Sequence, residues 1–84
     1  MKCVYPAMFY PEEDGGFSVI FKDFQGCVSQ GDDLFEALTE AQDALKFWLE
    51  ALQEDGKPLP KATALKEIKT EGSEFATLIW VDTK

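Results

Sequence analysis

Between Asp33 and Gly56 the chain carries one long helical stripe, and this single feature constrains the fold more than any other. Apolar residues recur at Leu34, Ala37, Leu38, Ala41, Ala44, Leu45, Trp48, Leu49 and Leu52, a spacing that lines one face of a helix. Glu36, Glu40, Asp43, Lys46, Glu50 and Gln53 take the opposite face. Asp33 is placed as N-cap, with Glu36 three residues on to complete a capping box. Asp55-Gly56 and then Pro58 stop the helix, which predicts a span from Leu34 to Glu54. The stripe covers about three heptads at most and leaves Phe35 and Phe47 off the seam, so it reads as a sheet-packing helix rather than a coiled coil. One amphipathic helix covers one face of a sheet. The remaining residues must therefore supply that sheet and account for its second face.

The strands are legible on both sides of the helix. Residues 3 to 10 are apolar and rich in aromatics, and Pro6 places this strand at a sheet edge or a bulge. Asp14-Gly15 marks a hairpin turn. Phe17, Val19 and Phe21 then alternate with Ser18 and Lys22, with Ile20 as an apolar residue on the outer side. Residues 27 to 30 form a short third strand. Residues 57 to 73 read as a loop with a helical turn at Thr63 to Ile68, capped by Thr63. Residues 74 to 82 form the last strand. Its apolar residues fall on both faces, which implies a central strand or an interface. The expected fold is α+β: one domain over residues 1–84, with a three- to four-stranded, mainly antiparallel sheet and one long helix on one face. Ile20 and Trp80 lie on the side the helix leaves open. That side is covered either by the 57–73 segment or by a partner, a homodimer or higher homo-oligomer being expected.

Charge narrows the partners. The net charge is −8, and it is unevenly placed: residues 1 to 55 hold twelve acids against three lysines. Such a body repels phosphate backbones and steers toward basic partners. Arginine, the bidentate phosphate ligand, is absent, so direct nucleic-acid binding by this chain is not expected. No apolar run of about 20 residues exists to cross a membrane. No basic segment followed by an apolar stretch marks a secretory signal, and a cytoplasmic location is expected.

Catalytic chemistry finds little footing. Cys3 and Cys27 are too few for a disulfide framework and read as buried reduced thiols. A cysteine nucleophile needs a base, and the chain has no histidine. Glu12, Glu13 and Asp14 sit on a turn, and Asp32 and Asp33 sit at a helix start, where solvation and capping account for them. Asp23 with Asp32 is a thin pair for metal chemistry. No enzyme activity, cofactor or metal is expected.

The run Y-P-A-M-F-Y-P-E-E-D-G-G-F-S-V-I-F-K-D-F-Q-G-C-V-S-Q-G-D-D (Tyr5 to Asp33) resembles the HicB antitoxin family. So do the A-L-x-x-A-x-x-A-L spacing from Ala37 to Leu45, the W-L-E-A-L-x-E-D-G helix end from Trp48 to Gly56, and the K-P-L-P that follows. The resemblance implies a degenerate ribonuclease-H-like or double-stranded-RNA-binding-like domain. It also implies a role in binding and silencing HicA, a small basic ribonuclease toxin that cleaves mRNA. Where the family carries proline before Gly-Cys, this chain has Gln25, and that loop is expected to be shaped differently. Many members add a C-terminal DNA-binding segment. This sequence stops at Lys84, so it is expected to be a short form without promoter binding. A solitary HicB-like protein-binding module without a toxin is the alternative. The expected toxin-facing residues are Glu12, Glu13, Asp14, Asp23 and Asp32, with Ile20 and Trp80 on the open sheet face.

Overall fold

The structure, a computed structural model, describes residues 1–83. The strands are β1 (Lys2–Pro11), β2 (Phe17–Ile20), β3 (Val28–Gly31) and β4 (Phe75–Asp82). The helix α1 (Leu34–Glu54) follows β3, and a short 3₁₀ turn, Leu65–Glu67, precedes β4. Every strand pairing is antiparallel, and the sheet order is β3-β2-β1-β4. The predicted α+β fold is therefore present with four strands.

The helix begins as its capping residues require. Asp33 Oδ1 accepts the Glu36 amide at 2.8 Å. Glu36 Oε1 reaches back to the Asp32 amide at 2.9 Å, one residue earlier than the usual reciprocal bond. Ala37, Ala41, Leu45 and Leu49 are fully shielded and form the face laid on the sheet. Against them stand Tyr5, Ala7 and Phe9 of β1, Val19 and Phe21, and Ile79 and Val81 of β4. Phe9 stacks on Phe75 at 5.0 Å between ring centroids, which closes the end near the helix start. The end of β3 lies hard against the helix: a Cβ on Gly31 would come within 2.3 Å of the Ala37 nitrogen, so this contact requires glycine.

Three local expectations are corrected. Trp48, expected beneath the helix against the sheet, is only half-buried. It turns toward the β2–β3 corner, where its ring lies 3.7 Å from the position a Gly26 Cβ would take. Leu34 is exposed at the margin of the stripe. Thr63 caps nothing: the 3₁₀ turn starts after Ala64 with no side-chain cap, and Thr63 bonds Asp23 instead.

Pro6 lies inside the central strand, not on an edge strand, and register explains why that is allowed. The Thr83 amide bonds the Met1 carbonyl at 2.8 Å, so odd-numbered residues of β1 exchange hydrogen bonds with β4. Even-numbered residues turn theirs toward β2. The β1–β2 pairing starts only at Met8↔Ile20, so the missing Pro6 amide faces a side with no strand to bond.

β4 is an edge strand, so the central-strand reading of its two apolar faces falls. The outer face of the sheet, opposite the helix, holds Val4, Pro6, Met8, Ile20, Val28, Leu78 and Trp80. Pro6 and Met8 are buried there. The connection from α1 to β4 begins on the helix side of the sheet, with Leu59 packed against the core. It is pinned by Tyr5 Oη to the Pro60 carbonyl at 2.5 Å and by the Thr63 amide to Asp23 Oδ2 at 3.0 Å. It then packs its 3₁₀ turn against β4 on the way to Phe75. This strap leaves Val4, Ile20, Val28, Leu78 and Trp80 exposed on the outer face.

Candidate functional site: an acidic groove

The tight turn after β1 sets one wall of a groove. Gly15 adopts a φ of +94°, which an L side chain rarely adopts, and Asp14 Oδ1 accepts the Gly16 amide at 3.0 Å. The Glu12 amide returns to the Gly16 carbonyl at 2.8 Å, so the turn is tied at both ends. Its acidic side chains therefore project from a fixed backbone. The other wall is the end of β3 and the first two turns of α1.

Between these walls lies a groove of about 780 Å³. Glu12, Glu13 and Asp14 enter from the turn, Asp32 from the helix entry, and Glu36 and Glu40 from the helix itself. Phe17, Ser18 and Gln30 form its floor with Gly16 and Gly31. No lysine is among the lining residues, so the field inside the groove is negative throughout. Some of these acids also serve the fold: Glu12 accepts from Ser18 Oγ, and Glu36 is the capping carboxylate. Among the described residues the one ion pair joins the Met1 ammonium to Asp82 at 3.2 Å, far along the sheet from this groove. Six carboxylates without an internal cation favour an external one.

Of the seven residues picked from sequence, four meet here: Glu12, Glu13, Asp14 and Asp32. Asp23 does not. It is half-buried, accepts both the amide and the hydroxyl of Thr63, and lines a separate cleft of about 290 Å³ with Phe24, Trp48, Leu52 and Pro58. Asp23 and Asp32 thus sit in different places and form no metal pair. Among the described residues no three His, Cys, Asp or Glu side chains are grouped to hold a metal ion. Ile20 and Trp80 are exposed on the outer face, away from the groove. Sequence reasoning passed over Glu36 and Glu40 as members of this acidic surface, although their i, i+4 spacing puts both on one line of the helix.

The Cys27 thiol is not poised for chemistry. Cys27 is fully buried, and burial pushes its thiol up to about 11. The Tyr5 phenol is also raised, by burial first and then by Cys3 and Asp23. No helix of the described residues is long and apolar enough to cross a membrane.

Comparison with known proteins agrees with this architecture. Antitoxin HicB 1 of Photorhabdus laumondii is 41% identical over 56 residues, 67% of this chain. The chain spans only 36% of that relative, and 48% of a 14.9 kDa protein of Haemophilus phage HP1 to which it is 36% identical. A toxin–antitoxin complex from Streptococcus pneumoniae contains a chain that superimposes with a TM-score of 0.88 at 22% identity, over 98% of this chain and 70% of that one. A HicA3–HicB3 toxin–antitoxin complex contains another, with a TM-score of 0.63 at 27% identity, over 98% and 99% of the respective chains. The sequence model for the HicB-like antitoxin of bacterial toxin–antitoxin systems matches residues 5–83, and with that match across nearly the whole chain the protein belongs to the HicB-like antitoxin family.

Proposed function

We propose that this protein is an antitoxin that binds and occludes a small basic HicA-type mRNA-cleaving ribonuclease. The observation that carries the reading is the groove: six carboxylates from three adjacent segments face one space without a cation among them. A ribonuclease surface that grips RNA must be rich in Lys or Arg. Such a surface finds in this groove a negative field of matching extent, and occupying it removes the site from RNA. The protein acts by binding, without catalysis of its own and without contacting nucleic acid directly. It works in the cytoplasm, where mRNA is cleaved, and as a homodimer.

Charge–charge recognition of this kind acts mainly on encounter and fades with salt. Glu12, Glu13 and Asp32 are exposed, and replacing all three with lysine leaves the core untouched. Asp23 is left in place because it holds the strap. Stopped-flow association with a catalytically dead HicA-type toxin is expected to slow by about tenfold or more at low ionic strength and to change little at high ionic strength. An unchanged rate at low salt would remove the groove from recognition. No binding by the wild-type chain either would favour the solitary protein-binding module.

A further inference from the structure

We propose that the homodimer forms by pairing β4 antiparallel to the β4 of a second copy, joining two four-stranded sheets into one. This deepens the homodimer reading given above and rests on it.

β4 is the edge of the sheet, and its odd-numbered residues bond β1. Ala76, Leu78 and Trp80 therefore turn their main-chain groups away from the molecule. Natural edges are blunted by charge, proline or a bulge. From Phe75 to Val81 this edge has neither charge nor proline, and its register with β1 runs without interruption. Beside it, on the outer face, Leu78 is 49% exposed and Trp80 60% exposed, with Val4 directly across from Trp80.

Charge decides the occupant. The six groove carboxylates lie around the β1–β2 turn, the β3 end and the helix start. Two copies of an acidic chain repel across such surfaces. Along β4 no like charges meet, and the acid that ends the strand, Asp82, is flanked by Lys2 in register and paired with the Met1 ammonium. A basic toxin finds no carboxylate between Phe75 and Val81 to draw it there. The stretch therefore suits a second copy of this chain.

Charge also selects the register. With Leu78 on the two-fold axis, Glu74 would oppose the partner's Asp82, a destabilising like-charge pair. With Ile79 on the axis, Leu78 meets the partner's Trp80, Trp80 meets the partner's Leu78, and Asp82 meets the partner's Ala76. The outward-facing even residues then exchange the hydrogen bonds, as an antiparallel ladder requires. The Trp80 carbonyl already accepts Gln42 Nε2 at 2.9 Å, and its second lone pair remains for the new strand.

Sedimentation velocity on the full chain tests this. The wild type is expected at twice the 9.4 kDa chain mass at high micromolar concentration. Ala76→Pro removes an outward amide while sparing the β1 ladder, and Trp80→Lys puts a charge into the proposed apolar pair. Each is expected to weaken dimerisation by about tenfold or more, while Val28→Lys, at the far edge of the same face, leaves it intact. Circular dichroism and binding of the dead toxin check that the variants fold. If Ala76→Pro does not fold, Trp80→Lys, at an exposed side chain, carries the test. A wild type that stays monomeric at every concentration overturns the homodimer and this surface together. A dimer that survives both variants overturns only the surface. Loss of toxin binding with the dimer mass unchanged overturns it as well, by giving the edge to the toxin.

Discussion

Cys27 shows how one residue can be buried for packing and still affect behaviour through its proton. It sits fully shielded just before β3, and its amide bonds the Phe24 carbonyl at 3.2 Å, closing the corner after β2. Burial raises its thiol from 9.0 to about 11. An acid with a raised folded-state value is neutral in both states below its unfolded value, so its packing contribution is complete there. Between pH about 9 and 11 the unfolded chain ionises first, and stability falls as pH rises. The loss attributable to this thiol is expected to reach on the order of 2–3 kcal/mol by pH 11. Urea unfolding of the wild type and of Cys27→Ala across this range checks it: the variant is expected to fall less steeply, and parallel curves would clear Cys27 of the effect. The expectation of two buried thiols holds for Cys27, whereas Cys3 is half-buried and both are free. Alternation alone predicts which face a residue takes but not how completely the neighbours close over it.

At the scale of elements, the helix was legible to the residue. Leu34 and Glu54 are its ends, because capping and stop signals act within a single turn and need no tertiary partner. The strap was not legible. Its sequence reads as loop, and its course is set by Asp23, about forty residues earlier, which accepts from both the Thr63 amide and hydroxyl. Asp23→Ala leaves a part-buried amide and hydroxyl without their acceptor, at an expected cost of about 1–3 kcal/mol. Hydrogen exchange is expected to rise across residues 57–73 while α1 stays protected. Uniform loss of protection across strap and helix would mean that the strap and core open as one unit. The same dependence on distant partners explains Trp48: its position in the stripe is helical, but its ring turns to whatever the corner at Gly26 and the Pro58–Pro60 segment leave open.

At the scale of the whole molecule, the two proposed surfaces differ in charge, and their salt dependences should have opposite signs. Added salt screens the repulsion between two copies of net charge −8, so dimerisation through β4 is expected to tighten. The same salt screens the attraction of the acidic groove, so association with a basic toxin is expected to slow. Measuring both on one preparation checks this, and slopes of the same sign would contradict the division. What the sequence by itself determined was local or compositional: the helix with its caps, the hairpin turn, the alternation of β2, the acidic balance, and the ordered set of short patterns that resembles the HicB family. What only the tertiary structure decided was which distant pieces meet. It placed β4 on an edge, let Pro6 enter a central strand where no neighbour needs its amide, and took Asp23 out of the acidic surface. It also added Glu36 and Glu40 to that surface and tied the strap to Tyr5 and Asp23. The physical reason is range: caps and turns are settled by hydrogen bonds within a few residues, whereas strand order and a charged groove depend on contacts that form only once the chain has closed on itself.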